Sequence, residues 1–164
     1  MERVQINEMR ARCIEILRKE LGLRFYGGFA HSEYAIEAYK NLLLEGPLIS
    51  GKKNYLSLLK QYPICIATTG LHGSIGWKMA EYVAFSKSIV SERLKCAVPC
   101  GFEANKNYLE FDTPEECVQE TMKLLEDGPS RQRMMADNWV YYNNHLSPDK
   151  FVLRTLHVAS ENSP

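Results

Sequence analysis

Between Ile64 and Glu92 the chain reads ICIATTGLHGSIGWKMAEYVAFSKSIVSE, and this stretch carries the residue types suited to holding a nucleotide. Gly70, Gly73 and Gly76 recur at every third position, so the backbone there can pass close to a ligand. A helix opens directly after them, and His72 or Ser74 is available to cap it. Lys78 and Glu81 stand three apart near the start of that helix and share one face, while Trp77, Ala80, Val83 and Ala84 share the other. A free helix start offers N–H donors and a positive partial charge, the chemistry that binds phosphate. Taken alone, the same Lys78 and Glu81 also read as a solvated surface pair, and His72 as a loop histidine without a partner for base chemistry.

The elements that must position these residues follow from the pattern around them. Ile64, Ile66 and Ala67 form a short apolar run behind Pro63, which reads as a strand, and Ser88 to Ser91 reads as the next. Tyr108 to Phe111 is a third strand, followed by Thr113, Pro114 and Glu116 as a helix start with a capping box. Upstream, residues 4 to 21 carry apolar side chains near a 3.6 period and stop at Gly22. Leu23 to Tyr26 reads as a strand before Gly27 and Gly28, and His31 to Leu44 as a helix broken by Gly46 and Pro47. Ser50 or Asn54 starts another helix, at whose head Lys52 and Lys53 sit against the dipole, through phosphate contact or mere exposure. Downstream, the helix after Thr113 stops at Gly128 and Pro129, Ser130 opens one containing Trp139 and Tyr142, and Pro148 precedes a last one around Phe151 to His157. The aromatics Trp77, Trp139 and Tyr142 read as core. Strands alternating with helices predict an α/β fold, an open three-layer sandwich around a mostly parallel sheet, in a single domain spanning 1–164.

Composition narrows the function classes. The 164 residues are 45% hydrophobic, enough for one filled core. Twenty basic and twenty acidic residues cancel, which argues against nucleic acid or an anionic surface as the partner. No apolar run reaches membrane-spanning length and the charged start has no signal-peptide core, so a cytoplasmic location is expected, including the inner face of the membrane. Cys13, Cys65 and Cys117 fall in apolar periodic segments as reduced thiols, and Cys96 and Cys100 lack the further ligands a zinc site needs. No metal or separate cofactor is expected.

The strand ICIA, the loop TTGLHGSIG, the block WKMAEYVAFSKSIVSE, the segment VPCGFEANKNYLEF and the helix TPEECVQETMKLLEDGPSRQRM together resemble the C-terminal, donor-binding half of GT-B glycosyltransferases. The likeness is to the group whose C-terminal domain is similar to that of spore-coat maturation glycosyltransferases, and it spans about residues 12 to 157. It implies a Rossmann-like sheet with a nucleoside diphosphate sugar as donor substrate. His72, Gly73, Ser74 and the helix start would hold the diphosphate, Lys78 would neutralise it, and Glu81 would take the ribose hydroxyls. A carboxylate has two acceptor oxygens for a diol, and five residues of helix separate Glu81 from Gly76 by about 7 to 8 Å, the span from diphosphate to ribose.

Two departures from the family pattern matter. Ser86 and Lys87 stand where members usually carry glycine and proline, and Gly73 stands where many retaining members carry a further glutamate, so no catalytic residue is assigned. The acceptor-binding half of such enzymes has no counterpart in these residues, and it is expected from a partner chain, a second copy or a longer polypeptide. The expected function is therefore the donor-binding half of a glycosyltransferase acting in glycan or cell-envelope polysaccharide synthesis. The alternative is a noncatalytic nucleotide-binding or assembly module that pairs with a partner subunit. A dinucleotide oxidoreductase is disfavoured because no G-x-G-x-x-G follows a strand. In the full family architecture the C-terminal helices fold toward the other half, so Leu146 to His157 should be poorly anchored, with Phe151, Val152 and Leu156 as an apolar face.

Overall fold

The apolar period at the start of the chain becomes α1, Glu2–Leu21, which buries Ala11, Cys13, Leu17 and Leu21. Gly22 ends it at φ +53, a left-handed backbone that glycine adopts without the Cβ penalty. A computed structural model describes residues 2–45 and 52–161. Within them follow α2 (Glu33–Ala38), α3 (Lys52–Gln61), β1 (Ile64–Ala67), α4 (Trp77–Ala84), β2 (Ser88–Glu92) and β3 (Leu109–Phe111). Three α-helices complete the described residues: α5 (Pro114–Glu126), α6 (Gly128–Tyr141) and α7 (Pro148–Glu161).

The fold is α/β and mostly helical, built on a three-stranded sheet in the order β1-β2-β3. Both pairings are parallel, with Ile66 opposite Val90 and Val90 opposite Leu109. Because successive strand side chains point to opposite faces, neighbouring Ile89 and Val90 enter two different cores. Ile89 packs with Cys65, Ala67, Met79, Tyr82 and Val83 beneath α4 and α6. Val90 packs with Leu17, Phe111, Cys117 and Leu124 beneath α1 and α5. Both are fully buried, each contributing about 1.5 to 3 kcal/mol. A parallel sheet covered on both faces is what this apolar β2 sequence requires.

The α5 start forms as its sequence dictates. Thr113 Oγ1 accepts from the Glu116 amide at 3.2 Å, and Glu116 Oε2 accepts from the Thr113 amide at 3.2 Å, with Pro114 in the first turn. The boundary after α5 is sharper than the glycine and proline suggest. Asp127 ends α5 and caps α6 by accepting from the Ser130 amide at 2.9 Å, so Gly128 lies inside α6.

Several expectations are corrected. Leu23 to Tyr26 is not a strand: Gly22–Arg24 is a 3-10 turn and Leu23 is fully exposed. The Arg18 guanidinium holds the following segment instead, donating to the carbonyls of Gly27 at 2.9 Å, Asn41 at 2.9 Å and Leu43 at 2.6 Å. The helix expected over 31–44 shrinks to α2, capped when Ser32 Oγ accepts from the Ala35 amide, and a 3-10 turn at Lys40–Leu42. Gly46, Pro47 and Ser50 lie outside the described residues. Trp77 and Trp139 are exposed, because the inward stripe of α4 runs through Met79, Tyr82 and Val83 and that of α6 through Met134, Asn138 and Tyr141. Tyr142 does pack against the core, half-buried.

At the C-terminal end α6 packs on β2, and α7 extends away with no buried residue. Phe151, Val152 and Leu156 are exposed along it, as the apolar pattern of this tail anticipated. One tie to the body is Arg154 Nη1, which donates to Cys100 Sγ at 2.6 Å.

Candidate functional site

Among the described residues, strand β1 is the outer strand of the sheet, paired with β2 on one side only. Along its other side runs a cleft of about 810 Å³, within the size range of small-molecule sites. All four β1 residues line it, with Leu17 and Leu21 of α1 on one wall, Leu59 of α3 and Tyr82 of α4 on the other, and Phe25 to Ala30 across from the strand. Its charged lining is one-sided. Arg10, Arg24 and Lys78 contribute cations, and no Asp or Glu is among the described residues that line it.

Two of those cations meet at the carboxyl end of β1. Arg10 reaches over from α1, its Nε donating to Thr68 Oγ1 at 2.9 Å and its Nη2 to the Thr69 carbonyl at 3.0 Å. Glu92, at the end of β2, accepts from the Thr69 amide at 2.5 Å and from its hydroxyl at 3.0 Å. These bonds fix the turn out of β1 so that α4 begins beside it. Gly76 is the N-cap of α4 and supplies no side-chain hydrogen bond, so neither Ser74 nor His72 caps the helix. The Trp77 and Lys78 amides therefore remain open donors beside the Arg10 and Lys78 side chains, while the Met79 amide donates to the Gly76 carbonyl at 3.1 Å. Trp77, the first helical residue, stands 90% exposed at the same mouth.

The site residues expected from sequence divide into two groups. Lys78 lines the cleft mouth. Removal of water lowers its pKa, and the Arg10 charge lowers it further, though its exposed position leaves both effects partly screened by solvent. Glu81, one turn on, is 22% exposed and pairs with Lys52 at the head of α3. That contact explains a cation at the start of a helix: Lys52 is held by a carboxylate rather than left against the dipole. The loop residues turn elsewhere. The His72 amide donates to Glu2 Oε1 at 2.7 Å, with its ring beside the same carboxylate, and its backbone is left-handed at φ 59. Gly73, at φ +68, packs against Lys95, whose Cδ would stand 2.8 Å from an added Cβ. Ser74 accepts from the Gly70 amide through its carbonyl at 2.8 Å, closing the loop on itself. His72, Gly73 and Ser74 thus shape the approach to α4 without lining the cleft.

Arg10, Thr68 and Arg24 were not singled out by the sequence. Arg10 reads as one of many charges on the outer face of α1, and nothing in its neighbourhood signals a partner 58 residues away. Among buried groups, Cys65 of β1 is pushed up to about 12 by burial, and Tyr82 is raised for the same reason, so neither is a base or nucleophile at neutral pH. No three His, Cys, Asp or Glu side chains converge as a metal-ligand set among the described residues. No helix among them is long and apolar enough to cross a membrane. Comparison with protein-family models, with curated proteins and with solved structures returns no match for this chain.

Proposed function

We propose that this chain is the donor-binding half of a GT-B-type glycosyltransferase, with the mouth of the β1 cleft taking the diphosphate of a nucleoside diphosphate sugar. The observation that carries this reading is the meeting of Arg10 and Lys78 at the uncapped start of α4, in a cleft whose described lining holds no Asp or Glu, while the nearby Glu92 is taken up by Thr69. Helix-start amides and two cations are a complementary set for a diphosphate. Glu81 lies one turn further along α4, and since Lys52 engages only Oε1, its other oxygen is open to a ribose hydroxyl. The loop of His72, Gly73 and Ser74 has the supporting role of setting where α4 begins.

No residue is assigned to the chemical step, because the groups near the mouth bind charge and none is placed as a base. Transfer to a glycan or envelope acceptor then depends on an acceptor half from a partner or a longer chain. Without it, orientation of the acceptor and exclusion of water are missing, and these 164 residues alone should bind donor and hydrolyse it slowly at most. The wholly exposed apolar side of α7 favours the related reading of an assembly module that pairs with a partner subunit.

Titration calorimetry with UDP, GDP, ADP and CDP tests the proposal. Saturable binding of at least one diphosphate, weakened by Arg10→Ala and by Lys78→Ala, is the expected result. Absence of binding by all four overturns the nucleotide reading.

A further inference from the structure

The cleft along β1 has a second property, which rests on the backbone rather than on the nucleotide reading. The Ser88 amide donates to the Pro63 carbonyl at 3.0 Å, which fixes the phase of the β1–β2 ladder. In a parallel pair alternate residues turn both peptide groups toward the same neighbour. Cys65 and Ala67 therefore face β2, while Ile64 and Ile66 direct their N–H and C=O groups into the cleft. In keeping with this phase, the Tyr82 hydroxyl donates to the Ile66 carbonyl at 3.4 Å from the cleft side. Tyr55 Oη is buried in the same lining with no hydrogen-bond partner among the described residues.

We infer that the free edge of β1 is a strand-acceptor site, filled by an extended segment of a partner polypeptide that adds to the sheet beside Ile64 and Ile66. The cleft selects that occupant by three features. Its floor is a row of backbone donors and acceptors, which an extended backbone satisfies and a compact ligand does not. Its two walls, α1 on one side and α3 with α4 on the other, are apolar, so the incoming strand is apolar on both faces, as an inner strand of a parallel sheet must be. Its charges are cationic at both ends. Arg10 and Lys78 mark the carboxyl end of β1, and Arg24 follows α1 at the opposite end. A strand flanked by carboxylates complements them, and one flanked by lysines is repelled. An unpaired edge lined by apolar walls is also a liability that proteins normally cover.

The test uses the full chain and a capped peptide of alternating valine and isoleucine with a glutamate at each end, beside its lysine-ended counterpart. Saturable binding of the glutamate-ended peptide should slow hydrogen exchange at the Ile64 and Ile66 amides. Ile66→Pro removes an amide from the free edge without touching the ladder to β2, and it should weaken binding about tenfold or more. Arg24→Glu, at an exposed position, should narrow the preference for the glutamate-ended peptide while leaving the fold unchanged by circular dichroism. The proposal is overturned if the peptide leaves both edge amides unprotected, or if Ile66→Pro folds normally and binds as tightly as the parent. Protection that grows with protein concentration alone would assign the edge to a second copy of this chain, and protection by UDP alone would assign it to a small molecule. Either result overturns a partner strand.

Discussion

Lys52 Nζ is hydrogen-bonded to Glu81 Oε1, joining the first residue of α3 to the second turn of α4 across the outside of the cleft. The pair is unequal in its setting: Lys52 is 64% exposed and Glu81 only 22%. An ion pair with one partner in solvent contributes little to stability, roughly 0 to 1 kcal/mol. Its consequence is positional, since it holds the Glu81 carboxylate in place with one oxygen occupied.

Glu81→Gln should weaken nucleoside diphosphate binding by roughly 1 to 3 kcal/mol, the range for hydrogen bonds to a charged group, with the thermal midpoint almost unchanged. Lys52→Ala should leave the fold equally intact. Calorimetry and thermal unfolding on both variants decide the matter. A large loss of stability in Glu81→Gln would make this carboxylate structural and remove it from the ribose site.

Lys78 gives a pH-dependent prediction. Desolvation first and Arg10 second lower its pKa from the ordinary 10.5, so it loses its proton at a lower pH than a free lysine does. A diphosphate binds the protonated form. Affinity should therefore fall as pH rises through the lowered pKa, and it should fall less for the matching nucleoside, which has no charge to neutralise. Lys78→Ala should weaken diphosphate binding and flatten this slope, and Lys78→Arg should keep the binding while moving the slope beyond the accessible range. Equal losses for diphosphate and nucleoside in Lys78→Ala would take Lys78 out of the phosphate site.

Most of the layered plan was legible because it depends on local signals. The three strands were each marked by a short apolar run, and the Thr113–Glu116 cap by its spacing. The Leu23 to Tyr26 run carried the same signal and failed, because a strand requires a neighbour and Arg18 takes the nearby carbonyls instead. Trp77 was misplaced because its stripe shares only Val83 with the inward one, which runs through Met79, Tyr82 and Val83 and leaves the first helical residue outside. Of the candidate site, Lys78 and Glu81 were visible as a spaced pair on one helix. Arg10 was not, since its role arises only when α1 lies across the end of β1. Lys52 carried a faint signal as a cation in an unfavourable place, and the structure supplies the carboxylate that accounts for it.

Ser86 illustrates a departure that has a measurable cost. It stands where the resembled family usually has glycine, and its backbone is left-handed at φ 52. An L residue pays about 1 to 2 kcal/mol in that region, partly offset by the greater freedom glycine has when unfolded. No side-chain bond of Ser86 is at stake among the described contacts. Ser86→Gly should therefore stabilise the protein by up to about 1 kcal/mol in urea unfolding. A destabilisation of that size would instead point to a packing role for the serine.

The bend that Ser86 makes delivers Lys87 to a buried amide cluster at the head of β2. Asn138 Nδ2 donates to the carbonyls of Lys87 and Asn107, each at 2.8 Å, and Asn138 Oδ1 accepts from Asn107 Nδ2 at 3.0 Å. Both asparagines are almost completely buried, so α6 holds β2 and the approach to β3 through side-chain amides as well as through the apolar contacts of Met134 and Tyr141. Asn138→Leu keeps the volume and strands two carbonyls and one amide away from water. At about 1 to 3 kcal/mol for each unsatisfied group, the loss should be at least 3 kcal/mol in denaturant unfolding. Adding Asn107→Leu removes one of the orphaned groups together with its partner, so the double variant should cost less than the sum of the two single ones. Strict additivity would mean that the two amides act independently, and that the contact between them does not tie α6 to the sheet.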